Sequence, residues 1–191
     1  GKCAKGKRMT IDTKTALLNS AEIAARRLGF DGFSYADLAK DVGIRKASIH
    51  YHFPSKADLS LAMMTQYHDG FHAICNAIDA TEDTGGGQLQ ALIARYREAL
   101  EGGESLCLCV AFSISRENLS EETTAQMTAF RAMMLRWIET VFALGQNDGS
   151  ISGVRDPKME AAAVLPLLEG AQLTARAGHN VALFEAATAI L

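Results

Sequence analysis

Proline is scarce in this sequence: it occurs only three times in 191 residues. Together with long stretches of apolar periodicity and no strand pattern, repeat or low-complexity tract, this favours helix throughout the chain. No apolar run approaches the roughly 20 residues of a membrane-spanning helix, so we expect no membrane partner. The basic start, GKCAKGKRMT, has no apolar stretch after it, so we expect no secretory signal.

The four cysteines, Cys3, Cys75, Cys107 and Cys109, do not have the spacing of a disulfide framework. A reducing, cytoplasmic location is therefore the simpler expectation. The sequence also lacks a nucleophile elbow, a phosphate loop and an HExxH motif. We therefore expect no enzyme activity, and nothing in the sequence calls for a cofactor.

The net charge of −3 conceals an uneven distribution along the chain. Residues 1–56 carry 11 Lys and Arg against 5 Asp and Glu, whereas the remainder carries 8 against 17. A basic first third on an acidic body suggests that one end meets a polyanion. A solvated basic face is the simpler alternative, and charge alone does not exclude it.

Apolar residues at helical spacing, with capping and helix-stop residues between them, predict an all-α chain of about nine helices. The predicted helices cover residues 12–28, 34–42, 46–51, 55–81, 88–101, 106–118, 120–144, 157–177 and 180–191. The segment TEDTGGG, residues 81–87, is predicted to be a linker. We also expect Gly145 to end the seventh helix and Pro166 to kink the eighth.

Residues 34–53 have the spacing of a helix-turn-helix. Ala39 lies where two short helices would cross, and its small side chain lets them approach. Gly43 permits the positive backbone angle of a tight turn, and Ile49 anchors the second helix in the core. The outer side of that helix then carries Arg45, Lys46, Ser48, His50, Tyr51 and His52, which are groups that pair with phosphates and major-groove base edges.

The segment GFDGFSYADLAKDVGIRKASIHYHFPSKADL, residues 29–59, resembles the DNA-binding signature of the TetR family of bacterial transcriptional regulators. The resemblance extends from about Thr10 to Leu61, and the rest of the chain is similar in length and helix order only. It implies a cytoplasmic homodimer that binds a palindromic operator in double-stranded DNA and responds, usually as a repressor, to a small molecule. It also implies DNA contacts by Arg45, Lys46, Ser48, His50, Tyr51, Lys56, Ser34, Tyr35 and Thr10.

The resemblance divides the chain into two domains. Residues 1–54 are expected to form a three-helix DNA-binding domain that includes a flexible basic arm, residues 1–9. Residues 55–191 are expected to form a helical effector-binding and dimerisation bundle. The predicted effector-pocket residues are Tyr96, Cys107, Phe112, Met133, Trp137 and Phe142, although core packing is the commoner role of such side chains.

Two variants of the effector response remain open from the sequence. Cys107 or Cys109 could react with an electrophile or oxidant, which requires a lowered thiol pKa. His68, His72 and Cys75 fall on one helix face and are weak candidates for metal ligands, because a site would need a further ligand from elsewhere.

The last two helices, about 157–177 and 180–191, carry few charges and many small or branched apolar residues. This composition suits a helix pair that packs against its own copy in a homodimer, although packing within one chain would use the same residues. A helical adaptor that does not bind DNA is the rival from another class. It would be expected to lack a basic face on the third helix, and that condition is not met.

Overall fold

A computed structural model describes residues 12–191 of the chain, and this part contains nine α-helices and no β-strand. The all-α prediction and the predicted number of helices are confirmed. The helices are α1 (Thr13–Leu28), α2 (Tyr35–Val42), α3 (Lys46–His52), α4 (Lys56–Thr81), α5 (Gly85–Glu98), α6 (Leu108–Ile114), α7 (Glu121–Asp148), α8 (Pro157–Ala177) and α9 (Ala182–Thr188). None of these helices is long and apolar enough to cross a membrane.

Helices α1 to α3 form a small head around an apolar core that includes Ile49, as predicted. Leu17, Leu38 and Ile49 are fully or almost fully buried between the three helices. Capping boxes are present at Ser34 and Ser55, and they fix where α2 and α4 begin. Each serine hydroxyl accepts a backbone N–H, and a carboxylate three residues later accepts the serine's own N–H.

Helix α4 runs from the head into the remaining helices, α4 to α9, which we call the body. Its 26 residues span about 39 Å at the usual helical rise. One face of α4 is buried along most of the helix. The buried apolar residues on that face are Leu59, Met63, Met64, Tyr67, Phe71, Cys75 and Ile78. In the body, α7 packs against α4, α5 and α8, and α8 also packs against α9.

Several predicted helix ends in the body are wrong, and two of them concern glycine. Helix α5 begins at Gly85, inside the predicted linker, because the N–H groups of its first turn are satisfied. Gly85 donates to Asp148 at 2.9 Å, and Gly86 donates to the Ser150 hydroxyl at 2.7 Å. Helix α7 continues past Gly145 to Asp148, and the helix-stop residue is Gly149, with φ of 76°.

Helix α6 begins later than predicted because the backbone donors before it have partners outside the helix, and it ends earlier because Arg116–Asn118 form a separate 3₁₀ turn. The N–H of Leu106 donates to the Arg26 carbonyl at 3.1 Å, and the N–H of Cys107 donates to the Gln172 side chain at 2.9 Å. Helix α8 has the predicted bounds, and Asp156 and Pro157 begin it as expected. The helix assignment is continuous through Pro166, whose predicted kink stays a prediction.

Candidate functional site

The turn between α2 and α3 has the geometry that the sequence predicts. Gly43 has φ of 75° and ψ of 35°, the left-handed conformation that glycine adopts without steric cost. The N–H groups of Gly43 and Ile44 both donate to the carbonyl of Ala39, at 3.0 Å each. Ala39 is buried between the helices, as predicted. The turn therefore fixes the outward face of α3 relative to the rest of the head.

That outward face carries the predicted cations. Arg45, Lys46, His50 and Tyr51 are exposed, and 83% of the Tyr51 surface is accessible. Within residues 12–191, no salt bridge engages Arg45 or Lys46. Both cations are therefore available to an external anion. Ser48 is half-buried at the edge of this face.

Two of the predicted DNA-contact residues are engaged inside the head. The Tyr35 ring is buried, and its hydroxyl lies 2.9 Å from the carbonyl oxygen of Phe53 and 2.7 Å from that of Ser55. Burial raises the pKa of Tyr35 to about 12, so its hydroxyl stays a neutral donor. Tyr35 also packs against His50, with ring centroids 4.9 Å apart. The residue thus positions the end of α3, and a DNA contact by its hydroxyl stays a prediction.

Lys56 is the second predicted DNA-contact residue whose side chain already has partners inside the protein. Its ammonium donates to the carbonyls of Phe30 and Phe33 and lies over both aromatic rings, 4.6 and 4.3 Å from their centroids. Burial lowers the pKa of the Lys56 amine, opposed by the charge of Asp31. Lys56 therefore ties the start of α4 to the turn after α1. One of its three N–H donors remains for a phosphate, and that contact stays a prediction.

Of the other predicted DNA-contact residues, Ser34 lies on the surface of the head and Thr10 lies outside the described residues. Ser34 is exposed at the start of α2, where its hydroxyl caps the helix. Thr10 and the basic arm, residues 1–9, lie outside the described residues. Sequence analysis missed Lys14, whose ammonium lies 5.8 Å from the ring centroid of Phe53, the residue that ends α3. Periodicity gives no signal for it, because this proximity arises only when the start of α1 lies near the end of α3 in the folded head.

The head is connected to the body by more than α4. Arg26, near the end of α1, donates to the carbonyls of Leu106 at 2.8 Å and Ala99 at 2.6 Å. Arg27 pairs with Glu101 at 2.8 Å. These contacts join α1 to the segment between α5 and α6. A change in that segment therefore has a direct route to the head.

The six predicted effector-pocket residues do not line one common cavity. Tyr96, Cys107 and Phe112 are fully buried in the core. Met133 and Trp137 line a groove of about 430 Å³ between α4 and α7, where the Trp137 indole donates to Asp79 at 3.0 Å. Phe142 instead lines a cavity of about 570 Å³ near the start of α5 and the end of α9.

The cysteines do not have the environment of reactive thiols. Cys107 is fully buried and accepts a hydrogen bond from the Tyr67 hydroxyl at 3.2 Å. Burial raises the pKa of Cys107, and it raises that of Cys109 to about 12 despite the nearby Arg131 guanidinium. Thiols of this kind stay protonated at neutral pH, so direct reaction with an electrophile is disfavoured. The two side chains point to different helices, as their spacing predicts.

The three candidate metal ligands are also not arranged as a site. The Nδ1 atom of His68 lies 3.1 Å from Gln126, and that of His72 lies 3.3 Å from Asn76. Cys75 is buried, and burial raises its pKa to about 12. Across residues 12–191, no group of three or more His, Cys, Asp or Glu side chains could hold a metal ion.

The sequence of the head and the fold of the whole described chain are both similar to those of bacterial regulators of one family. Residues 17–63 match the family of bacterial regulatory proteins, tetR family. A transcriptional regulator of the TetR family from Agrobacterium tumefaciens is 29% identical, with a TM-score of 0.87 over 92% of this chain and 93% of that one. A TetR transcriptional regulator from Legionella pneumophila is 25% identical, with a TM-score of 0.83 over 94% and 95%.

A third structure shares the fold at lower similarity. It is AibR, solved in complex with isovaleryl coenzyme A and operator DNA, and it is 22% identical with a TM-score of 0.65 over 82% of this chain and 84% of that one. A search of curated proteins finds no match.

Proposed function

The chain belongs to the TetR family of bacterial regulatory proteins, and we propose that it is a cytoplasmic repressor that leaves its operator when a small molecule binds. In this proposal residues 1–54 bind DNA, and residues 55–191 bind the effector and form a homodimer. The observation that carries the proposal is the exposed face of α3, where Arg45 and Lys46 have no carboxylate partner within the described residues.

The chemistry of this face fits a DNA major groove. Arginine and lysine pair with guanine edges and with phosphates, and the exposed Tyr51 hydroxyl can donate to a phosphate oxygen. Helix α3 has only seven residues, so its position depends on the buried Ile49 and on the Tyr35 hydroxyl. A rigid head allows the same side chains to reach the same bases at every binding event.

A homodimer is supported by the outer face of α8 and by the segment that follows α9. Met159 is 70% exposed, Leu173 42% and Ile190 84%, although all three are large and apolar. Between the first two, the exposed side of α8 carries Ala162, Ala163, Pro166 and Gly170. A continuous apolar face of small residues on a long helix suits packing against a second copy. Two heads related by a two-fold axis would then read an inverted repeat.

Release of DNA follows from the two connections between head and body. An effector that displaces α4, or the segment between α5 and α6, would move the head through Lys56 and Arg26 respectively. The two heads of a dimer must stay about 34 Å apart to enter successive major grooves. A small change in that separation therefore lowers the affinity for the operator. AibR, whose structure contains both a coenzyme A thioester and operator DNA, is a precedent for both partners in this fold.

Selection of genomic fragments by the purified full-length protein tests this function. We expect enrichment of an inverted repeat whose half-site centres are about 10 base pairs apart, or a multiple of that spacing. The inverted repeat reports the homodimer as well as DNA binding, since a monomer would enrich single half-sites. Recovery of no fragments above background would contradict the proposal and favour the helical adaptor, and recovered fragments with no shared sequence would contradict specific recognition of an operator.

A further inference from the structure

Two buried polar atoms in the centre of the body lack a hydrogen-bond partner among the described residues. They are the Tyr96 hydroxyl and the Oε1 atom of Glu169. Tyr96 is 1% exposed and Glu169 8% exposed, so bulk water does not serve either atom. A buried polar group without a partner destabilises the folded state, and native proteins contain few such groups. Two in one region therefore call for an explanation.

Tyr96 and Glu169 lie on α5 and α8, which pack against each other, and Gln172, about one helical turn after Glu169, contacts the Tyr96 backbone. Burial raises the pKa of Tyr96 well above its usual value, and the proximity of Cys107, Glu169 and Cys109 contributes. The Gln172 side chain accepts from the Cys107 N–H at 2.9 Å and donates to the Tyr96 carbonyl at 2.7 Å. These contacts hold α5, α6 and α8 around one buried region. Every polar group named here except the two unpartnered atoms has a partner.

The unpartnered atoms are chemically complementary to a single group. The phenol of Tyr96 is a neutral donor. The Oε2 atom of Glu169 pairs with Arg131 at 3.3 Å, which leaves Oε1 as an acceptor. A hydroxyl can accept from Tyr96 and donate to Glu169 at the same time. A second cation would duplicate Arg131, and an anion would face the Glu169 carboxylate, so a neutral ligand fits best.

We propose that the effector is a small, neutral molecule that carries a hydroxyl on an apolar body, and that this hydroxyl binds between Tyr96 and Glu169. The inference rests on the proposed function, since it assigns the chemical class of the effector. The surroundings suit an apolar body, since the Phe71 ring packs edge-on against Tyr96 with centroids 6.0 Å apart.

One side chain, that of Arg131, extends from the surface to the proposed site. Arg131 lines an open groove of about 390 Å³ between α6 and α7, and its side chain reaches from that groove to Glu169. Its guanidinium also donates to the Cys109 sulfur at 3.3 Å and to the Ser113 hydroxyl at 3.3 Å. Movement of this one side chain would connect the groove to the buried atoms. It would also alter the contacts of α7 with α6 and with α8.

The test compares phenol with toluene, which has a similar shape and no hydroxyl, on the full-length protein and on Tyr96→Phe. We expect phenol to raise the melting temperature of the wild type more than toluene does, and the two to act alike on Tyr96→Phe. Without ligand, Tyr96→Phe should melt at the same temperature or up to about 3 °C higher, because it removes an unpartnered hydroxyl.

The control is Tyr35→Phe, which removes a buried hydroxyl that has carbonyl partners. It should lower the melting temperature and keep the difference between phenol and toluene. A loss of stability in Tyr96→Phe like that of Tyr35→Phe would mean that a buried water already serves the hydroxyl, and would overturn the proposal. So would equal effects of phenol and toluene on the wild type, or a difference that survives in Tyr96→Phe.

DNA release is measured separately, so that the two proposals fail separately. The captured duplex is the operator DNA obtained by the selection of genomic fragments. Phenol should release it from the wild type and not from Tyr96→Phe. If phenol stabilises the wild type through Tyr96 but the protein never binds DNA, the site stands and the proposed function fails. If DNA binds and phenol has no effect that depends on Tyr96, the function stands and the proposed site fails.

Discussion

Replacing Arg45 by alanine is expected to weaken binding to the captured operator by about 5- to 150-fold, the loss of about 1–3 kcal/mol that follows removal of one base contact. Arg45 is exposed at the start of α3, and it forms no salt bridge with any residue in the described part of the chain. The loss should be smaller for DNA of unrelated sequence, because a base contact adds nothing there. Fluorescence anisotropy with the captured duplex and a scrambled duplex measures both affinities.

The matched control is Lys40→Ala, which removes one exposed positive charge from α2 of the same head. Lys40 was not assigned to the DNA interface. Its replacement should lower the affinity for both duplexes slightly and by similar factors, through the general attraction between charges. If Arg45→Ala and Lys40→Ala have the same effect on both duplexes, Arg45 acts only as a charge and its role in base recognition is wrong.

Replacing Gly85 by alanine is expected to destabilise the body by about 3 kcal/mol or more, because the new methyl group would meet backbone rather than a flexible side chain. A β-carbon at this position would lie 2.5 Å from the carbonyl oxygen of Val141, and closer still to the backbone of Gly145. Helix α5 would have to move away from α7. Chemical denaturation followed by circular dichroism measures the loss, which corresponds to a fall in melting temperature of about 6–12 °C.

Gly70→Ala is the control for the glycine itself. Gly70 lies in the middle of α4, is exposed, and has open space where a β-carbon would stand. The same substitution should therefore stabilise the protein by about 0.5–1 kcal/mol, since alanine favours helix over the unfolded chain. Similar stabilities of the two variants would mean that α5 and α7 are not in close contact at Gly85.

The head was predictable from the sequence because its signals are local. The capping boxes at Ser34 and Ser55 and the turn at Gly43 depend on residues within five positions of one another. The buried set, including Ile49, follows from helical periodicity. The contacts of Tyr35 and Lys56 were not predictable, because their carbonyl partners are brought to them by tertiary packing. Both residues are expected to contact DNA because of the resemblance to the TetR family.

The body was less predictable because tertiary contacts override local propensity there. Three successive glycines favour a linker, yet Gly85 begins a helix because Asp148 and Gly145, more than 50 residues away, provide a partner and a close surface. The sequence alone does not distinguish the aromatic residues of the body that pack in the core from those that line a pocket. The unpartnered atoms of Tyr96 and Glu169 mark a candidate site that no sequence motif indicates.

The most direct measurement is the affinity of the full-length protein for its captured duplex as the salt concentration rises. If α3 and its surroundings present their positive face to the phosphates, with six or more phosphates contacted, the affinity should fall by at least about 10³-fold between 50 and 200 mM salt. The captured duplex should bind more tightly than a scrambled one at every concentration. An affinity that is independent of salt, or no binding at low salt, would contradict the assignment of this face to DNA.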